Sequence, residues 1–159
     1  MFDKKKKIKL IATDFDGIIT DGFVYFSSVD SDEHKKVSFK DIMGMSLAIK
    51  HGFKIAVISG EKNGIIDKVA SKFNLEDVHQ GIRDKLPVLL SISEKYSFSM
   101  DEICYLGDDI NDISILERVG FAVTVPDCNY KVKAVPNIYV TKANAGNGAF
   151  REIVDLLID

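Results

Sequence analysis

Cysteine is scarce. Cys104 and Cys128 are the only two in the 159 residues, too few for a disulfide framework. A reducing cytoplasm is the simplest home for such a chain. Long apolar runs are missing too, and none approaches a membrane span. Net charge is small: −3 gives no reason to expect nucleic acid or an anionic membrane as partner. No repeat, low-complexity tract or linker interrupts the chain. The start, Met1-Phe2-Asp3-Lys4-Lys5-Lys6-Lys7, carries the charge of a signal peptide. The apolar stretch after it is short, however, and stops at Asp14 without a small-residue cleavage site. It reads as a solvated leader. What is left is one globular domain, residues 1–159, long enough for a real core.

Within it, acidic residues gather at a few turns. Residues 8–13 are apolar and predict a buried strand, and Asp14-Phe15-Asp16-Gly17 follows at once. Carboxylates there are costly to bury without a metal, a donor or a partner charge. At the carboxyl end of a strand in an open α/β sheet they would face the ligand crevice. The same residue types also make an ordinary turn, so the rest of the chain decides. Residues 23–26 and 36–39 flank a polar stretch and predict a β-hairpin. Asp41 is a candidate N-cap for a helix ending at Lys50. Residues 53–58 predict a second buried strand, which exits into Ser59-Gly60. Residues 62–73 place Ile65, Ile66, Val69, Ala70 and Phe73 on one helical face. A short strand follows near Val78.

Lys85 opens another helix, with Asp84 as candidate cap and Pro87 in its first turn. Residues 103–106 form a strand whose exit is Gly107-Asp108-Asp109. Residues 110–119 predict a helix stopped by Gly120, and 121–125 a strand. A short helix near Tyr130, a strand near Tyr139 and a helix carrying Phe150, Ile153, Val154, Leu157 and Ile158 complete the chain. His34, His51 and His79 are scattered and read as structural or exposed. Lys35 and Lys36 either solubilise the hairpin or face an anionic substrate.

Strands alternating with helices predict an α/β, Rossmann-like three-layer sandwich with a mostly parallel sheet. In a parallel sheet the strand exits share one edge. Asp14, Asp16, Asp108, Asp109, the Ser59 hydroxyl and the Lys85 amine therefore converge. Aspartates without histidine or cysteine make a hard oxygen site, which suits Mg2+. A carboxylate beside Mg2+ can attack a phosphoryl group, while a hydroxyl and an ammonium hold its oxygens. A second carboxylate can protonate the leaving oxygen and later activate water. The set supports two-step phosphoryl transfer to water through an aspartyl phosphate.

The ordered motifs Asp14-x-Asp16, Ser59-Gly60, Lys85 and Gly107-Asp108-Asp109-x-x-Asp112 resemble the haloacid dehalogenase superfamily of phosphatases. The resemblance implies Asp14 as nucleophile and metal ligand, and Asp16 as general acid/base with its backbone carbonyl on the metal. It implies Ser59, Gly60 and Lys85 at the phosphate, Asp108 on the metal, and Asp109 and Asp112 tuning the metal or orienting Lys85. The gaps from Gly17 to Asp41 and from Ser59 to Lys85 hold no cap domain. The segments Asp16-Gly17-x-x-Thr20-Asp21-Gly22 and Gly146-Asn147-Gly148-Ala149-Phe150-Arg151-Glu152 resemble the capless sugar-acid phosphatases of 3-deoxy-D-manno-octulosonate 8-phosphate type. That resemblance implies a homotetramer built through a hairpin flap, residues 23–40, with residues 146–151 approaching a neighbour's site.

The implied substrate is a small sugar-acid phosphate. Ser46 and Glu61 stand where octulosonate phosphatases typically carry arginines. Glu61 and Lys72 instead resemble the enzymes acting on nonulosonate (ketodeoxynonulosonate or N-acetylneuraminate) 9-phosphates. That is the preferred expectation, with the octulosonate as alternative. Two other classes compete. A phosphoacceptor receiver domain also combines aspartates, a hydroxyl, a lysine and Mg2+, but its acidic pair comes first and its reactive Asp later. A non-catalytic oligomerisation module linked to sugar-nucleotide synthesis could dispense with Asp14 or Asp16, and both are present.

Overall fold

The computed structural model describes residues 7–29 and 33–159. Its strands are β1 (Leu10–Thr13), β2 (Tyr25–Phe26), β3 (Glu33–His34), β4 (Lys54–Ser59), β5 (Asp77–Gln80), β6 (Ile103–Leu106), β7 (Phe121–Thr124) and β8 (Tyr139–Val140). Its α-helices are α1 (Phe39–Lys50), α2 (Gly64–Phe73), α3 (Leu86–Tyr96), α4 (Ile113–Leu116) and α5 (Ala149–Ile158). Six strands form one parallel sheet in the order β5-β4-β1-β6-β7-β8. β2 and β3 pair antiparallel in a separate ribbon.

The central strands are apolar because both their faces are covered. Side chains alternate across β1. Ile11 packs with Val57, Cys104, Met45 and Phe150 on one side, under α1, α2 and α5. Leu10 and Ala12 pack with Ile58, Tyr105, Leu89 and Ile115 on the other, under α3 and α4. The result is three layers, with β1 at the centre and its exit at the middle of the carboxyl edge. Among the described residues, the stretch between β1 and α1 holds only a turn and the ribbon, and that between β4 and α3 only α2 and β5. Neither holds a cap domain.

Several boundaries differ from the sequence expectation. Ser38, not Asp41, caps α1, its hydroxyl accepting from Lys40 N at 3.2 Å. Asp41 is fully buried and caps a different helix: its carboxylate accepts from Gly148 N at 3.0 Å and Arg151 N at 3.1 Å, at the start of α5. The return arm of the ribbon comes earlier than residues 36–39, at Glu33–His34, because Val37 bridges to Thr20 instead. Asp30 to Asp32, the middle of the predicted polar tip, lie outside the described residues. Asp84 does not cap α3; Lys85 occupies that position without a side-chain cap bond. The helix expected over 110–119 is a 3-10 turn, Ile110–Asp112, followed by the short α4.

Candidate active site

Three strand exits build the site. β1 delivers Asp14, whose N–H donates to Leu106 O at the end of β6 at 2.9 Å. β4 ends in Ser59 and β6 runs into Gly107-Asp108. The loop before α3 supplies Lys85, which is completely buried. A buried ammonium needs partners. Lys85 Nζ donates to Asp14 Oδ2 at 2.5 Å and to Asp112 Oδ1 at 2.8 Å. Asp14 Oδ1 in turn accepts from Phe15 N at 2.6 Å.

Asp112 is saturated. Besides Lys85, its Oδ1 accepts from Tyr105 OH at 2.6 Å. Its Oδ2 accepts from the N–H groups of Asp108 and Asp109 at 3.0 and 3.2 Å. A carboxylate offers about four acceptor positions, and all are used. Asp112 therefore fixes Lys85 and the Asp108 turn. Glycine is required at two close approaches. A Cβ on Gly17 (φ +79°) would overlap the Asp108 carboxylate, and one on Gly107 would overlap Asp112.

Asp14, Asp108 and Asp112 bring carboxylate oxygens within 4.8 Å of one another. Burial, then the Asp112 charge, pushes Asp14 up to about 7 despite the pull of Lys85. Burial, then Asp14, Asp112 and Asp109, pushes Asp108 up to about 8. Burial alone would lower the Lys85 ammonium, but Asp14 and Asp112 outweigh it and raise it. One lysine does not neutralise this cluster, which fits a cation site. The donors are hard oxygens. With Asp112 saturated, Asp14 and Asp108 are the cluster's carboxylates with capacity left for a cation.

Asp16 stands apart. It is absent from the carboxylate cluster, so its side chain is not brought to the metal-binding group; the sequence expectation had assigned it a backbone carbonyl there. Its Oδ2 pairs with Lys35 Nζ at 2.7 Å, and its Oδ1 accepts from Thr20 Oγ1 at 3.1 Å. The Lys35 side chain is only 5% exposed. Asp14 and Asp16 share a cleft of about 260 Å³ with Ser59, Gly60, Glu61, Asp108, Asp109 and Asn111. Ser59 Oγ accepts from Glu61 N at 3.3 Å. Asp109 lies outside the buried network, its Oδ1 accepting from Asn129 Nδ2 at 3.0 Å.

Lys72 is not brought to the cleft. It lines a separate apolar groove with Val37, Phe39 and Val69. Tyr105 and Asn111 carried no signal in the sequence, and Thr20 entered only as part of a motif, without its bond to Asp16. Tyr105 reads there as one more core residue, and only the fold aims its hydroxyl at Asp112. Residues 146–151, expected to approach a neighbour's site, make a contact within their own chain: Gly146 N donates to Ile18 O at 2.9 Å. Gly146 (φ +61°) lies so close to the Thr20–Asp21 backbone that a Cβ would overlap it.

A model of the haloacid dehalogenase-like hydrolases matches residues 56–153. The match includes Ser59, Lys85, Asp108 and Asp112 and begins after Asp14 and Asp16. The chain belongs to this family and is a phosphoric monoester hydrolase. The 3-deoxy-D-manno-octulosonate 8-phosphate phosphatase of Escherichia coli K12 is 30% identical over 156 residues, covering 98% of this chain and 81% of that protein. The corresponding phosphatase of Moraxella catarrhalis, solved with a magnesium ion, a phosphate ion and KDO, superposes with a TM-score of 0.93. It is 31% identical over 99% of this chain and 89% of its own. A probable phosphatase from Pseudomonas syringae is 34% identical, also with a TM-score of 0.93, covering 98% and 88%.

Proposed function

We propose that this chain is a Mg2+-dependent phosphatase of a 2-keto-3-deoxy sugar-acid phosphate, with 3-deoxy-D-manno-octulosonate 8-phosphate as the favoured substrate. The observation that carries the reaction class is the buried Asp14–Lys85–Asp112 network beside Asp108. Relatives of octulosonate type matching almost the whole chain support the substrate. Asp14 is the nucleophile: one carboxylate oxygen bonds phosphorus as the bond to the sugar oxygen breaks. Asp16 gives a proton to that leaving oxygen. It then takes one from the water that attacks phosphorus, and the bond to Asp14 breaks. Lys85 has three N–H groups, two of them committed to Asp14 and Asp112, and the third is available to a phosphoryl oxygen. Ser59 and Gly60 hold the other side of the group.

Asp14, Asp108 and the Asp16 backbone carbonyl would hold the ion. Mg2+ offsets the repulsion between carboxylate and phosphate and favours the ionised Asp14. Asp112 positions Lys85 and the Asp108 turn, while the Asp109 carboxylate caps the turn that carries Asp112.

The nine-carbon substrate is the second reading, favoured by Glu61 at the cleft, where it can accept from sugar hydroxyls. Lys72 gives it no support within one chain. The exposed apolar surface around the ribbon, with Phe23 67%, Phe26 77% and Phe39 86% accessible, supports a homotetramer joined there. Residues 1–159 form one catalytic domain. Among the described residues no helix is long and apolar enough to cross a membrane, and the two unpaired cysteines suit a cytoplasmic enzyme.

The test is phosphate release across 3-deoxy-D-manno-octulosonate 8-phosphate, ketodeoxynonulosonate 9-phosphate, N-acetylneuraminate 9-phosphate and p-nitrophenyl phosphate. The expected result is the highest kcat/KM on the eight-carbon acid. Preference for a nine-carbon acid would replace the substrate, and equal rates on all four would remove the sugar-acid reading.

A further inference from the structure

Beside the cleft lies a larger cavity, of about 640 Å³, between the ribbon and the first turn of α2. Its wall includes Glu33, His34, Lys35, Lys62, Asn63 and Lys68. Three lysines against one glutamate give it a positive balance. The N-terminus of α2, the positive end of the helix dipole, borders the same space.

Lys35 joins the two compartments, since it lines the cavity while its ammonium pairs with Asp16 in the cleft. Lys62 directly follows Glu61 of the cleft wall. Its stem crosses Gly81 so closely that a Cβ there would sit 2.9 Å from the Lys62 Cε. Among the described residues neither Lys62 nor Lys68 takes part in an ion pair. Asn63 lines the cavity and caps α2, its Oδ1 accepting from Ile65 and Ile66 N, while its Nδ2 is buried without a hydrogen-bond partner among the described residues. A buried donor left unpaired is costly unless something supplies an acceptor.

The cleft already has residues for a phosphoryl group, so the cavity's cations call for a second anion. A sugar-acid phosphate carries one, its carboxylate, at the far end from the phosphate. We propose that Lys62, Lys68 and Asn63, with Lys35 as the shared wall, form the subsite for the substrate's carboxylate. The inference rests on the sugar-acid reading above and deepens it. A phosphate monoester without a carboxylate would leave these cations empty-handed, and the subsite thereby selects acids over neutral sugar phosphates.

The experiment compares wild type with the Lys62→Ala/Lys68→Ala double variant on 3-deoxy-D-manno-octulosonate 8-phosphate and p-nitrophenyl phosphate. The expected result is a loss of roughly 10- to 100-fold in kcat/KM on the sugar acid, carried mainly by KM, since charged hydrogen bonds are being removed. The preference for the acid over p-nitrophenyl phosphate should fall by a similar factor. Lys62→Arg/Lys68→Arg should restore most of it. Calorimetry with free 3-deoxy-D-manno-octulosonate should show weakened binding to the alanine variant. A wild type that prefers the sugar acid, with the preference intact in the double variant, overturns the subsite and leaves the function standing. A wild type without any preference for the acid overturns both.

Discussion

The carboxyl edge of the sheet and the ribbon above it are built on opposite principles. At the edge, Lys85 and Asp112 are completely buried and every acceptor position of Asp112 is filled. Those groups cannot change partners without leaving a buried charge unmatched, so one chain suffices to fix them. At the ribbon, two two-residue strands carry exposed Tyr25 and Phe26. A pair of such short strands is marginal without further packing. The contrast teaches that the Asp14–Lys85–Asp112 network is held in place by one chain alone. The carboxylate subsite proposed above divides between α2, a ten-residue helix, and a ribbon that holds little of its position by itself. Lys35, buried against Asp16 but carried next to β3, is where the two regimes meet.

The sharpest way to break this comparison is at the edge. Asp14→Asn should lower kcat by ~10⁴-fold or more, as loss of a nucleophile does, while the circular dichroism spectrum stays native. Substantial turnover in that variant would remove Asp14 from the mechanism. Lys85→Met comes next. It leaves Asp14 and Asp112 without their shared cation and should cost about 3–5 kcal/mol in urea unfolding, along with activity. A stability loss below about 1 kcal/mol would mean the network is dispensable to the fold.

Metal linkage gives a smaller effect with a definite sign. Asp14 at about 7 and Asp108 at about 8 lie above the ordinary 3.8. The folded, metal-free protein thus keeps protons that the unfolded chain releases, and its stability falls as pH rises from about 4 to 8. With the ionised pair as the proposed ligands, Mg2+ should raise Tm more at pH 8 than at pH 5.5, and EDTA should abolish activity reversibly. Equal Tm increments at both pH values would separate the ion from this cluster. The mildest change to the fold is at the ribbon. If the proposed homotetramer forms through the ribbon, Phe26→Asp should leave the far-ultraviolet spectrum unaltered and shift the light-scattering mass to smaller species. An unchanged mass would place the assembly elsewhere.

The sheet was legible because its strands are apolar on both faces and end in polar turns. Leu10–Thr13, Lys54–Ser59 and Ile103–Leu106 announce themselves by run length. Asp14 and Asp108, which the fold brings together, were legible for the same reason, lying at the exits of two of those runs. Contacts that join distant stretches were not. Nothing local separates Asp41 from an ordinary first-turn aspartate, and nothing local marks Tyr105 as a donor to Asp112. Lys35 was visible only as one charge of a polar ribbon, since its partner Asp16 lies 19 positions away. Lys72 shows the converse: a motif match placed it with Glu61, but the far end of a ten-residue helix carries it to another groove.

One contact ties the two ends of the chain's history together. The final helix has no cap of its own, because Gly148 at that position has no side chain to offer. It takes one from Asp41, 107 residues earlier. During synthesis α5 emerges well after α1, which carries the carboxylate that caps it. A chain cut short before Gly148 loses more than a terminal helix, because Asp41 would remain beneath α1 with its donors gone. The damage from a truncation at one end of the sequence is felt beside the flap at the other.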